Sequence, residues 1–142
     1  MLSSKEISTI LRSNGYKVTP QRLAVYECLS KTKAHPNAET LFEDLQPRFP
    51  TMSFATVYKS VEIFSRLNLI KVLNTGEDSY RYDADVSEHQ HLQCVACGRV
   101  DDVRLNVGHI CEDAAEASGY EVTSDEMYFY GLCPKCRKKA GN

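Results

Sequence analysis

Two cysteine brackets, Cys94-Val95-Ala96-Cys97 and Cys133-Pro134-Lys135-Cys136, are the residues of this chain best spaced for chemistry. Two residues between thiols let one short turn present both sulfurs to a single ion. Two such turns complete a closed tetrahedral four-cysteine site, which suits structural Zn²⁺. Gly98 after the first bracket tolerates a left-handed backbone, and Pro134 stiffens the second. The stretch from Gly98 to Leu132 is longer than a compact zinc ribbon allows, so the site is expected to staple two separated strands rather than make a finger. Disulfides or a thioredoxin-like redox pair compete for a single CxxC. Two brackets in one chain with no secretory signal favour zinc.

The histidines suggest a second metal site. His89-Gln90-His91 lies just before the first bracket, and an HxH pair in an extended segment points both imidazoles to one side. Asp83 precedes the pair, Asp102 follows the bracket, and His35 sits in a loop far upstream. Imidazoles with carboxylates form a harder donor set than four thiolates, matched to Fe²⁺ or Mn²⁺ although acceptable to Zn²⁺ or Ni²⁺. Asp101 and Asp102 are adjacent, so only one is expected to coordinate. His109 is expected within a helix with a structural role, and Cys28 and Cys111 as small core residues in helical patterns.

Positioning these groups requires a particular set of elements. Ser3 or Ser4 can cap a helix carrying Ile7, Ile10 and Leu11 that stops at Asn14-Gly15. Thr19-Pro20 starts a second helix with Leu23, Tyr26 and Leu29 inward. A third carries Leu41, Phe42 and Leu45 before Pro47. A fourth begins at Ser53 with Phe54, Val57, Tyr58, Val61, Phe64 and Leu67 at helical spacing. Ile70–Leu73 and Ser79–Tyr82, separated by Asn74-Thr75-Gly76-Glu77-Asp78, read as a hairpin. Helices followed by a hairpin wing describe a winged helix-turn-helix, with the fourth helix as recognition helix. Its outward residues Ser53, Ala55, Thr56 and Lys59, with Tyr58 at the boundary, can touch thymine methyls and hold phosphates.

Downstream, strands at His91–Cys94 and Arg99–Leu105 flank the first bracket. A helix from Asn106 or Val107 to Ser118 closes at Gly119, and strands are expected at Tyr120–Thr123 and Glu126–Leu132. The fold class is therefore α+β: an N-terminal winged helix over residues 1–83 and a small α/β domain over 84–142 that holds the four-cysteine zinc.

Composition agrees with a small globular chain. The chain has 142 residues, 42% of them hydrophobic, and a net charge of −2. Residues 1–83 carry 11 Lys and Arg against 9 Asp and Glu, and residues 84–142 carry 6 against 10, which permits a DNA-facing first half. No apolar run approaches the ~20 residues of a membrane span. Met1-Leu2-Ser3-Ser4-Lys5 leads into polar sequence without a signal-peptide core, so a cytoplasmic setting is expected. An enzyme is not expected: the four-cysteine set leaves no open coordination position, and no HExxH or GxSxG supplies a base or nucleophile.

Several blocks together carry a resemblance. Val18-Thr19-Pro20-Gln21-Arg22, Ser53-Phe54-Ala55-Thr56-Val57-Tyr58, the run His89 to Gly98, and Tyr130-Gly131-Leu132-Cys133-Pro134-Lys135-Cys136 resemble, in order, the Fur family of metal-sensing bacterial repressors. The resemblance implies a homodimer that binds a double-stranded DNA operator, with one structural zinc per subunit at Cys94, Cys97, Cys133 and Cys136. It also implies a regulatory metal between the domains. In the peroxide-sensing PerR branch, three histidines and two aspartates hold Fe²⁺ or Mn²⁺, and they match His35, Asp83, His89, His91 and Asp102 here. Iron-sensing Fur proteins are similar but carry glutamate where Asp83 and Asp102 stand. Ser87-Glu88 and Ser124-Asp125 occupy places where those proteins tend to have further histidines. The PerR branch is thus favoured over the iron-sensing one, then over zinc or nickel sensors, with a metalloenzyme remote. Its implied mechanism is oxidation of His35 or His89 by H₂O₂, catalysed by bound iron, which releases the metal and ends repression. Arg22, Ser53, Thr56, Tyr58 and Lys59 are the implied DNA contacts. Lys59 departs from the Asn or Arg often found there, which leaves operator preference open.

Overall fold

The computed structural model describes residues 1–76 and 78–141; Glu77, in the expected hairpin turn, lies outside them. The chain divides into two compact units, Met1–Ser87 and Glu88–Asn142.

The first unit is built from α1 (Ser4–Ser13), α2 (Pro20–Ser30), α3 (Ala38–Leu45), α4 (Phe54–Arg66) and a hairpin of β1 (Lys71–Leu73) and β2 (Arg81–Asp83). Each of these helix starts carries a side-chain cap. Ser3 Oγ accepts from Glu6 N while Glu6 returns a carboxylate to Ser3 N, and Thr19, Asn37 and Ser53 cap the next three helices. The apolar stripes meet in one core, where Ile7, Leu11, Val25, Leu41, Val57, Val61 and Phe64 are at most 1% exposed. Burying side chains of this size contributes about 1.5–3 kcal/mol each. Phe54, expected on that stripe, lies at the surface and packs edge-on against Phe42 at 5.9 Å, and Tyr58, expected at the boundary, is exposed. β1 begins one residue later than expected, β2 begins two residues later and ends one later, and Lys71 pairs with Asp83 while Ile70 is buried in the core.

The second unit has β3 (Gln90–Cys94), β4 (Val100–Val103), α5 (Ile110–Ser118), β5 (Tyr128–Gly131) and the short α6 (Pro134–Lys139). Its sheet runs β4-β3-β5, with β4 antiparallel and β5 parallel to β3. Here the structure corrects several expectations. The helix starts at Ile110 rather than 106 or 107, because Asn106 Oδ1 accepts from Gly108 N at 3.1 Å and Gly108 takes φ 68°, an Asx turn that breaks the helical path. His109 therefore precedes the helix and is exposed instead of sitting inside it. Cys111 is only half-buried and donates to Asp125 at 3.1 Å, since α5 buries no residue in this chain. Cys28 is likewise half-buried, at the margin of the first unit's core. Tyr120–Thr123 has strand composition but forms no strand, because no neighbouring strand pairs with it among the described residues. Glu126–Leu132 contracts to β5 for the same reason at its ends.

Candidate metal centres and nucleic-acid face

The four-cysteine centre is assembled by strand pairing. Cys94 ends β3, and Gly98 at φ 78° turns the first knuckle back so that Gly98 N donates to Cys94 O at 2.9 Å. Parallel pairing sets Cys94 beside Gly131, which delivers Cys133 to the same place at the head of α6. The four sulfurs lie within 4.8 Å of one another, with Cys97 Sγ and Cys133 Sγ 3.9 Å apart. A tetrahedral ion with Zn–S bonds of ~2.3 Å places its sulfurs about 3.8 Å apart, whereas a disulfide needs ~2.05 Å. All four cysteines are free thiols. The backbone N–H of Cys133, then that of Cys97, pulls the Cys94 thiol down to about 6, and Cys136 N–H lowers Cys133. Cys136 is pushed up to about 12, chiefly by its hydrogen bond with Cys133. Backbone N–H groups directed at Cys94 and Cys133 favour the thiolate, the form that ligates metal.

The histidines and aspartates form two clusters, one in each unit. In the first, Tyr82 N donates to Pro36 O at 3.0 Å, Asn37 bridges to Arg81, and Asn37 Nδ2 donates to Ser79 Oγ at 3.2 Å. These bonds tie the loop before α3 to β2 and bring His35 Nε2 to 3.3 Å from Asp83 Oδ2, both side chains buried. His35 adopts φ 51° immediately before Pro36, a left-handed backbone that costs energy for a residue with a Cβ. Asp83 is braced in turn: its Oδ1 accepts from Asp85 N at 2.9 Å.

In the second unit, antiparallel pairing sets His91 opposite Asp102, so both point to one face, and His89 two residues earlier joins them. His89 Nε2 and His91 Nε2 converge on Asp102 Oδ1 at 3.2 and 3.4 Å, and the two imidazoles meet edge-on at 4.6 Å. Strand alternation sends Asp101 to the other face, where Arg99 binds it at 2.7 Å. Of the adjacent aspartates, Asp102 is therefore the one in the cluster. The neighbour that sequence reasoning missed is Tyr128, whose ring stacks on His91 at 5.8 Å and 28°. No spacing rule signals that contact, because it depends on the β3–β5 pairing.

The candidate nucleic-acid face lies on α4. Tyr58 and Lys59 are exposed in its second turn, and Ser53 and Thr56 form its first, their hydroxyls 3.0 Å apart. Ser53 also caps the helix, so one hydroxyl serves both the fold and the face. Arg22 is half-buried, and its Nη1 donates to Lys17 O at 2.7 Å, holding the loop that precedes α2.

Residues 13–130 match the profile of the ferric uptake regulator family. The chain belongs to that family. It is 45% identical over 136 residues to the transcriptional regulator PerR of Clostridium acetobutylicum, covering 95% of this chain and 99% of that protein. It is 36% identical over 136 residues to the peroxide operon regulator of Bacillus subtilis, covering 95% and 94%. The Campylobacter jejuni peroxide stress regulator superposes with TM-score 0.73 at 26% identity over 96% of this chain and all, 100%, of the other. PerR from Streptococcus pyogenes superposes with TM-score 0.55 at 30% identity, covering 96% and 94%. As a ferric uptake regulator family member the chain is a transcriptional regulator of mixed α+β fold and not an enzyme. No helix among the described residues is long and apolar enough to cross a membrane.

Proposed function

We propose that this regulator is a peroxide-responsive repressor of the bacterial cytoplasm that binds operator DNA as a homodimer. The observation that carries the reading is the donor set: His35 beside Asp83 in one unit, and His89 and His91 on Asp102 in the other. Both carboxylates are aspartates, and relatives of this chain are named as PerR or peroxide operon regulators. Three imidazoles and two carboxylates suit Fe²⁺ or Mn²⁺, while the thiol set suits a structural Zn²⁺. All five side chains serve one regulatory ion, and their division between two units lets that ion bias the arrangement in which paired α4 helices reach successive major grooves.

An Fe²⁺ ion held by these residues would supply the redox chemistry that makes H₂O₂ reactive, with no net change in its own oxidation state. The imidazole of His35 or His89 then gains one oxygen atom at a ring carbon, with water as the other product. An oxo-imidazole is a poorer donor, so the ligand set weakens and repression ends. The surface of the second unit supports the homodimer: Leu92, Leu105, Ile110, Tyr120, Phe129 and Tyr130 are all exposed, and α5 buries nothing in a single chain. On α4, Tyr58 reads bases, Ser53 and Thr56 contact thymine methyls or phosphates, and Lys59 neutralises a phosphate. Arg22 contributes through the loop that it holds.

The deciding experiment loads the chain anaerobically with Fe²⁺ or Mn²⁺ and adds low H₂O₂. Mass spectrometry should find one added oxygen on the His35 or His89 peptide of the iron form, with loss of operator binding, and neither change with manganese. Oxidation confined to cysteine sulfur would sink this mechanism in favour of a thiol switch. Iron-dependent binding that survives peroxide would point to iron sensing.

A further inference from the structure

We infer that Tyr128 is a positioning residue for the His91 imidazole, presetting it for the regulatory ion; the inference rests on the reading of His91 as a ligand. The two residues are register partners in the parallel β3–β5 pair, which sets their side chains on one face of the sheet. The strands are locked at this point, since His91 N donates to Met127 O at 3.2 Å. The phenol ring lies nearly parallel to the imidazole, at 28° and 5.8 Å between centroids. The His89 ring meets the same imidazole at 61° and 4.6 Å, and Asp102 Oδ1 stands 3.4 Å from its Nε2.

An imidazole has one soft rotation about χ2 that decides which nitrogen faces the ion. The Tyr128 face and the His89 ring edge flank the His91 imidazole and hold its plane, while Asp102 Oδ1 selects the flip that turns Nε2 toward it. The stack uses the ring of Tyr128 and not its hydroxyl, whose contact with Glu126 Oε2 is long at 3.4 Å. A side chain ordered before the ion arrives need not lose that freedom on binding, and this is what a supporting residue contributes to affinity.

The test uses the full zinc-loaded chain and Mn²⁺ as the probe. Tyr128→Phe keeps the ring and should hold the Mn²⁺ Kd within about twofold, whereas Tyr128→Leu should raise it about tenfold. Zinc content should stay at the parental level in both. Before Mn²⁺ is added, the ring protons of His91 should show an upfield ring-current shift by NMR in the parent and Tyr128→Phe and lose it in Tyr128→Leu, a change that general loosening of the sheet would not confine to one imidazole. If Tyr128→Leu loses zinc, Tyr128→Met, with similar bulk and no aromatic face, carries the same comparison. Parental Mn²⁺ affinity in Tyr128→Leu, or an equal loss in Tyr128→Phe, overturns the inference while an impaired His91→Ala leaves the ligand assignment standing. Parental affinity in His91→Ala overturns both.

Discussion

Two imidazole nitrogens converge on one oxygen of Asp102, so that carboxylate and His91 are the side chains whose loss should be felt first. His91→Ala or Asp102→Ala should abolish Mn²⁺-dependent operator binding in a shift assay while metal analysis still finds one zinc per chain. Loss of zinc together with Mn²⁺ response would mean that the two centres are not separable. On α4, Lys59→Ala should reduce the slope of log affinity against log salt by about 1, as expected for one phosphate contact. Tyr58→Ala should lower discrimination between operator and random DNA at matched salt. Equal binding by both variants would remove α4 from the interface. Tyr82 adds a pH dependence: burial, then the nearby Tyr58 phenol, raises its own phenol from 10.0 to about 12. The folded state therefore keeps a proton that the unfolded chain has released. That contribution is fully present below about pH 10 and is lost as the pH rises toward 12. Denaturant melts at stepped pH should show a shallower alkaline decline for Tyr82→Phe than for the parent.

At the scale of elements, the two units are held by different physics. The first has a continuous apolar core with Phe64 fully buried at its centre, edge-on to Tyr26 at 5.6 Å. Phe64→Ala should cost ~3–5 kcal/mol in urea or thermal melts. The second is a small sheet in which Cys94, Val100 and Cys133 are the buried hydrophobic residues among those described, so its apolar interior is largely the four-cysteine cluster. Cys94→Ser or Cys133→Ser should lose one zinc per chain together with most of the unit's cooperative unfolding, because ligand binding there is folding free energy. A variant with full zinc and parental melting would refute the staple.

For the whole molecule, the five proposed regulatory ligands are split between units, His35 and Asp83 on the first and His89, His91 and Asp102 on the second, and the apolar surface left open lies mostly on the second. A dimer joined there should dissociate when Ile110 or Phe129 is replaced by Asp, read as a halved mass by light scattering, with the four-cysteine zinc retained. Operator affinity should fall with it, since two recognition helices joined in one body bind successive grooves far better than two separate ones. A monomeric parent, or a charged variant that stays dimeric, would move the interface elsewhere.

Local signals that act over a few residues were readable from the chain alone. Ser3 or Ser4, Thr19 and Ser53 announced their helices because a cap is a bond between residues three apart. The paired CxxC brackets announced the four-sulfur cluster because each knuckle is equally local. His35 and Asp83 stood as candidate ligands beside the histidine pair, but what brings those two side chains together is the bridge from Asn37 to Arg81, a long-range contact that no spacing encodes. Resemblance pointed to Asp102 rather than Asp101, and the physical reason is the β3–β4 register, which decides which of two neighbours faces the histidines. Tyr128 lay outside the expected site because parallel pairing puts it beside His91 from far along the chain. The late start of α5 and the absent strand at 120–123 have the same origin. A helical or β-rich pattern states a preference of the chain, and whether it is realised depends on turn geometry and on having a partner to pair with.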